Sequence, residues 1–440
     1  MRHGPRPHPD IGWGAVLVSG IPNAAVLRQI HRSRTVPNGL ALFGDSITFN
    51  GGRHAVNPTT YKDIGFWTWA QFLLGHAFTF LGNFGVSGEK TTPMLNRLND
   101  VVNVRPGWVH ILMGTNDVNN GIDISVTIAN LDYVLNYFET AGIRVILGTI
   151  PPQNTLTATG AMQHRRLNAW IRMQGHTRRS VVIVDYFAAL VNPINGNYAG
   201  SGFLVQTNDG THPAAIGAYV MGKTLAAALR AVGINAPAEL FSDEADTTNT
   251  LLYGQFSGAG VGAAPTGWTG STPTGSGTVA YSKPARTDIA TQSPAARTWQ
   301  QLLLAPSAPG VATSMTLTNS NTRGGSWSVG DTIAASIVAK ATALDQAPAT
   351  LTQAGMSFSV QCLSSGFAVL ARADDLYWVP GVAGYGNHTL DDRQGVFMTP
   401  PVVIPANTVY VQVQITIGGG GTYCFDQAGI QNLSRYGLTA

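Results

Sequence analysis

The sequence predicts an α/β domain built on a parallel sheet, followed by an all-β sandwich. Two changes of hydrophobic period carry this reading. From about residue 38, short apolar runs alternate with helix-like stretches, the pattern of strands covered on both faces by crossover helices. Past residue 248 the helical period is lost and apolar and polar residues alternate one by one, as half-buried antiparallel strands require.

Residues 1–37 carry scattered prolines and a short helix-like run over 24–30, and are read as an N-terminal extension without an assigned role. In the α/β unit, 38–233, the expected strands are Leu40–Gly44, Phe78–Phe84, Trp108–Met113, Arg144–Ile150 and Val181–Asp185. Ile124, Ile128, Leu131, Leu135 and Phe138 recur at three- and four-residue steps, so one helix face packs on the sheet until Gly142 stops it. A last helix is expected over Ala214–Ala231, with Pro213 near its first turn, where a missing N–H costs nothing. Residues 234–248, with Pro237, Asp243, Glu244 and Asp246, read as a linker between two independent cores. The sandwich, 249–440, shows strict alternation in Val411–Ile417 and Met356–Cys362 and a looser form in Thr332–Lys340, while residues 257–298 read as loop-rich.

With 440 residues the chain can bury two or three cores. Only 11% of its residues are charged and 51 are Gly, so the surface must rest on Ser, Thr, Asn, Gln and Gly, a composition compatible with an extracellular or virion setting. The net charge of +3 comes from scattered Arg, and Arg165-Arg166 and Arg178-Arg179 are too short to follow a phosphate backbone, so no nucleic-acid partner is expected. The N-terminus lacks a basic-then-apolar secretory pattern, and no run approaches the roughly eighteen apolar residues of a membrane span. A soluble protein of unassigned location is the expectation. Cys362 and Cys424 have no metal-ligand spacing, and for Cys362 a buried thiol and a disulfide both remain open.

Four loops carry chemistry. The first strand runs into Gly44-Asp45-Ser46, placing a serine at the carboxyl end of a parallel strand, where α/β folds bind ligands. The second delivers Asn83-Phe84-Gly85-Val86-Ser87-Gly88 and the third Gly114-Thr115-Asn116-Asp117, so that backbone N–H groups and a side-chain amide can face an oxyanion. The fourth segment, Asp209-Gly210-Thr211-His212, sets an Asp three residues before a His, within reach of its Nδ1. Each segment alone is also an ordinary turn, since its residues are turn formers. Together they supply a nucleophile, oxyanion donors, an orienting carboxylate and a base along one sheet edge.

These blocks, Gly44-Asp45-Ser46, Gly88, Gly114-x-Asn116-Asp117 and Asp209-x-x-His212, resemble the four signature blocks of the SGNH/GDSL hydrolases over residues 38–233. The resemblance implies a flavodoxin-like three-layer fold with a five-stranded parallel sheet. It implies further that Ser46 attacks an ester carbonyl, that His212 serves as base and then acid, and that Asp209 orients His212. Oxyanion donors would be the N–H groups of Ser46 and Gly88 and the Asn116 side chain. An additional glycine, Gly85, leaves two candidates for the second donor. Asp45 and Asp117 would be structural neighbours. No Gly-x-Ser-x-Gly elbow, His-Glu-x-x-His or Cys-x-x-Cys occurs, and no metal or cofactor is expected.

The segments Asn249–Phe256, Pro265–Trp268 and Cys424–Ile430 resemble the opening and closing strands of jelly-roll carbohydrate-binding modules. On that basis Trp268, Trp299, Trp327, Trp378 and Tyr385 are candidates for stacking on sugars. The reading as a whole is a serine esterase, in its sharpest form an O-acetylesterase on an acylated polysaccharide. A lipid or short-acyl esterase is the alternative enzyme, and a phage or surface attachment protein that mainly binds glycan, as part of a virion or oligomer, is the alternative of another class.

Overall fold

A computed structural model describes residues 35–52, 60–62, 64–199, 207, 209–234, 245–286, 297–308, 311–342, 355–377 and 393–437. Trp378, Tyr385, most of the N-terminal extension and residues 235–244 of the expected linker lie outside the described residues.

Five strands form the parallel sheet: β1 (Val36–Gly44), β3 (Thr79–Gly85), β4 (Pro106–Leu112), β5 (Arg144–Gly148) and β6 (Val181–Val184). Their spatial order is β3-β1-β4-β5-β6, all parallel. This is the doubly wound order in which the chain steps to one side of β1 and then to the other. The expected strands all appear, with ends shifted by up to four residues. All seven residues of β4 are buried, His110 among them, which is why its apolar residues do not alternate one by one with polar ones.

Helix α1 (Ser46–Gly51) follows β1 directly, and β2 (Thr60–Lys62) lies outside this sheet. Helices α2 (Phe66–Leu73) and α9 (Ala215–Ala231) pack on each other, closely because a Cβ on Gly222 would sit 2.4 Å from that of Trp69. The opposite layer contains α4 (Leu98–Asn103), α6 (Ile124–Ala141) and α7 (Ala158–Thr177); α3 (Thr91–Met94) and α5 (Thr115–Asn119) are single turns at strand ends, and α8 (Tyr186–Leu190) is a single turn packed against α9. In α6 the Asp123 side chain caps the start, Leu131, Leu135 and Phe138 are buried, and Gly142 ends the helix at φ +81°. Pro213 stands one residue before the α9 cap, Ala214, so it precedes the first turn rather than entering it.

The remaining strands are β7 (Thr269–Gly270), β8 (Thr278–Ser282), β9 (Gln300–Ala305), β10 (Ser314–Asn319), β11 (Thr332–Thr342), β12 (Gly355–Leu363), β13 (Val369–Tyr377), β14 (Arg393–Met398), β15 (Val402–Val403), β16 (Tyr410–Gly418) and β17 (Gly421–Asn432). They form two mostly antiparallel sheets, β2-β13-β12-β16-β10-β7 and β14-β11-β17-β9-β8, with β15 beside β11. Strand β16 alternates as its sequence predicts, burying Val411, Val413 and Ile415 between the half-buried Gln412 and Gln414. Strand β12 departs from that pattern, because Ser357, Ser359 and Gln361 are buried as well. It is a central strand, and its polar face is covered by neighbouring side chains: Gln361 donates to Gln414 at 2.9 Å and accepts from Gln412 at 3.2 Å. Cys362 and Cys424 are free thiols, and burial pushes the Cys362 thiol up to about 11.

The two cores meet along a seam. One side of α2 (Phe66, Trp67, Ala70) joins the core under the parallel sheet, while Trp69 and Phe72, with Ala218 and Tyr219 of α9, join the sandwich core. Phe72 and Phe397 have ring centroids 4.7 Å apart, and a Cβ on Gly395 would lie 2.2 Å from the Phe72 carbonyl oxygen. Strand β2, within the first half of the chain, pairs in parallel with β13 of the sandwich. His76 Nε2 lies 3.2 Å from the buried Asp375 carboxylate, which also accepts the Met398 N–H at 2.7 Å. A cavity of about 300 Å³ lies along this seam, between residues such as Gln71 and His76 on one side and Ser336 and Gln431 on the other. The expected independence of the two cores therefore misses a shared apolar contact. Among the described residues, no helix is long and apolar enough to cross a membrane.

Candidate active site

The carboxyl end of β1 is packed so closely that Gly44 has no room for a side chain: a Cβ would sit 2.1 Å from the Leu112 carbonyl oxygen of β4. The chain then leaves the sheet. Asp45 caps α1, its Oδ1 accepting the Ile47 N–H at 3.0 Å, and Ser46 becomes the first residue of the helix. Asp45 is wholly buried, and desolvation raises its carboxyl to about 6 against the lowering effect of that N–H.

On the loop before α9, Asp209 Oδ1 accepts the N–H groups of Thr211 at 2.8 Å and His212 at 2.7 Å. Its other oxygen, Oδ2, lies 2.6 Å from His212 Nδ1, and His212 Nε2 lies 2.8 Å from Ser46 Oγ. Burial would raise the Asp209 carboxyl, but these N–H groups and the imidazole outweigh it and hold the carboxyl at about 2. An ionised Asp209 accepts from Nδ1–H, which leaves the Nε2 lone pair for the serine proton. The structure thus joins the three residues, 166 positions apart at the extremes of the Ser46–His212 bond, into one hydrogen-bonded chain.

Further groups hold the His212 loop in place. Thr207 Oγ1 accepts the Gly210 N–H at 3.0 Å and donates to the His212 carbonyl at 2.7 Å. The Gly210 carbonyl accepts from the Asn154 N–H at 2.9 Å, and the Tyr198 hydroxyl donates to the Thr211 carbonyl at 2.8 Å. Sequence reasoning passed over Asn154, Tyr198 and Thr207. Only Thr207, a hydroxyl two residues before an Asp in a turn, carries a local signal.

The other two loops stand beside Ser46. A Cβ on Gly85 would lie 2.2 Å from the Phe49 backbone nitrogen, so this glycine exists to let β3 approach α1. Gly88, at φ +75°, has open space on its Cβ side. After β4, Gly114 turns the chain at φ +114° and Asn116 follows in α5, its Nδ2 donating to the Glu89 carbonyl at 2.9 Å. Asp117 is buried and accepts the Thr91 N–H at 2.9 Å and the Thr91 hydroxyl at 2.5 Å, tying the second loop to the third. Ser46 and Asn116 leave the sheet from the adjacent strands β1 and β4, where the strand order reverses and open α/β sheets form their ligand crevice.

The aromatic residues proposed for sugar stacking are placed elsewhere. Trp268 is buried with its ring 4.7 Å from that of Phe256, and Trp299 is buried beneath the Arg286 guanidinium, 4.1 Å away. Neither presents a ring face to solvent, because both complete apolar packing in the sandwich. Trp327 is half-buried against the same core and donates to Thr322 at 3.1 Å. Among the described residues, no three His, Cys, Asp or Glu side chains are gathered to hold a metal ion.

Residues 42–220 match the family described as GDSL-like Lipase/Acylhydrolase, which supports a GDSL-type hydrolase domain over this stretch. Solved structures similar to the chain include a GDSL-like lipase from Bacteroides thetaiotaomicron, 21% identical, covering 48% of this chain and 98% of that one with a TM-score of 0.36. An acetylxylan esterase from Geobacillus stearothermophilus is 18% identical over 46% of this chain and 97% of that one, with a TM-score of 0.37. The enzymatically active domain of a tailspike from bacteriophage CBA120 is 14% identical over 42% of this chain and 21% of that one, at 0.27. Likenesses at this level bear on neither substrate nor partner. No curated protein matches the chain.

Proposed function

We propose that the chain is a serine esterase that cleaves carboxylic esters through Ser46, His212 and Asp209. The observation that carries this reading is the unbroken contact from Asp209 Oδ2 through both His212 nitrogens to Ser46 Oγ. Ser46 Oγ attacks the ester carbonyl carbon while His212 Nε2 takes the hydroxyl proton, and Asp209 stabilises the imidazolium that forms. The negative oxygen of the tetrahedral intermediate is received by the N–H groups of Ser46 and Gly88 and by the Asn116 amide. His212 then protonates the departing alkoxide, and water, activated by the same imidazole, releases the acid and restores Ser46. The open space at Gly88, set against the filled space at Gly85, favours Gly88 as the second backbone donor.

For the substrate we propose O-acetyl groups on a polysaccharide. Its support is the openness of the site: the side chains of His212 and Asp209 are 36% and 51% exposed. A chain-like polymer can lie across such an edge, whereas a long acyl tail gains most from an enclosed apolar channel. Acetate release from acetylated xylan, measured beside hydrolysis of p-nitrophenyl acetate and p-nitrophenyl palmitate, tests this. Turnover of both acetyl substrates, with at least about tenfold lower kcat/KM on palmitate, is the expected result, by analogy with other acyl-chain discrimination. Preference for palmitate would transfer the assignment to a lipid esterase.

A further inference from the structure

We propose that Arg97, acting through Glu89, is a positioning residue that sets the oxyanion-binding loops; this rests on the esterase reading above. Arg97 ends a short 3-10 turn, Leu95–Arg97, between α3 and α4. Its guanidinium reaches across the carboxyl ends of two strands. Nη1 donates to the Phe84 carbonyl of β3 at 2.6 Å, and Nη2 donates to the Gly44 carbonyl of β1 at 3.1 Å. Those carbonyls lie two residues before Ser46 and one before Gly85. The Gly44 carbonyl also accepts the Val86 N–H at 3.0 Å, so Arg97 seals the point where the first and second loops join.

The same guanidinium holds Glu89 through Nε, at 2.7 Å, and through Nη2. Glu89 connects this clamp to the third loop, since its backbone carbonyl accepts Asn116 Nδ2 at 2.9 Å. An amide nitrogen carries two hydrogens. With one committed to Glu89, the other is left to meet the oxyanion, and its direction is set by where Glu89 sits. Both partners of the ion pair are largely buried, with side chains 16% and 12% exposed, and the guanidinium stacks 4.7 Å from the Phe43 ring centroid. In that setting a carboxylate stripped of its partner is drawn toward water and carries its own carbonyl with it. Arg97 makes four hydrogen bonds from three separate nitrogens, a spread that the single ammonium of a lysine with its three donors cannot match.

The test uses the full chain with p-nitrophenyl acetate. Arg97→Met is expected to lower kcat by about ten- to a hundredfold with KM changed less than about threefold, as for loss of an interaction made only in the transition state. Arg97→Lys should rescue less than half of that loss. Because Arg97 acts through the same donor, the double variant Arg97→Met/Asn116→Ala should be no more than about threefold slower than Asn116→Ala alone. Glu89→Gln keeps the shape and weakens the clamp. It should give a smaller loss of the same kind, and it provides the test if Arg97→Met does not fold. Wild-type kcat in a folded Arg97→Met or Glu89→Gln variant, or losses that multiply with Asn116→Ala, would overturn the proposal. Failure of the esterase reading shows differently: Ser46→Ala would then keep its activity whatever stands at position 97.

Discussion

The α/β unit has two working edges made of opposite materials. At the carboxyl end of the sheet, Ser46, Asn116, Asp209 and His212 are half-buried or exposed polar groups held by hydrogen bonds within and between their loops. At the seam, Trp69, Phe72 and Tyr219 are buried aromatics held by packing against Phe397 and the sandwich core. The first edge gains its order from direction, because a hydrogen bond is lost when a donor turns away. The second gains it from area, each buried ring contributing on the order of 2 kcal/mol with little demand on angle. Damage should therefore separate: changes at the first edge should alter rate and leave stability, and changes at the second should do the reverse.

The largest separation is expected at Asn116. Asn116→Ala should lower kcat by about a hundred- to a thousandfold, the usual cost of one oxyanion donor, and leave the melting temperature within a few degrees of the parent. A change confined to KM would make Asn116 a substrate-binding group instead. Phe72→Ala inverts the pattern. Loss of a buried ring should cost about 3–5 kcal/mol of stability, read from denaturant unfolding, while kcat in the folded protein stays within about twofold. Unchanged stability would mean that the seam is not packed, and a collapse of kcat without unfolding would mean that the seam supports the site.

This contrast also governs what the sequence revealed. Asp209 and His212 lie three residues apart and touch, so their geometry is nearly written in their spacing. Gly85 and Gly88 looked equivalent, because only the approach of α1 distinguishes a glycine needed for packing from one left open. Trp69 and Phe72 stand out in no local pattern, because the core they join is completed some 325 residues later by Phe397. No local period encodes such a partner. Trp268 and Trp299, candidates only through the resemblance to carbohydrate-binding modules, differ for a related reason: the fold turns both rings inward. Arg97 carried no signal, since its partners Gly44, Phe84 and Glu89 come from separate strands and loops.

The smallest expected effect is electrostatic and lies under the first edge. Burial holds the Asp45 carboxyl near about 6, above its ordinary 3.8. The folded chain therefore binds this proton more tightly than the unfolded one does. Its contribution is fully present below about pH 4 and is lost as pH rises through about 6, an effect on the order of 2–3 kcal/mol at most. Asp45→Asn keeps an oxygen for the Ile47 N–H but does not ionise. Its melting temperature should fall less than that of the parent between about pH 4 and pH 7, by a few degrees. Identical slopes for the two proteins would mean that Asp45 ionises in the fold as readily as in the open chain.

The most direct measurement is covalent labelling of the nucleophile. Incubating the full chain with a serine-directed organophosphate and mapping the adduct by mass spectrometry should place one equivalent on Ser46, with activity lost in step. His212→Ala should label far more slowly, because the hydroxyl then lacks its base. Stoichiometric inactivation with the adduct on another residue, or an active and unlabelled Ser46, would contradict the account.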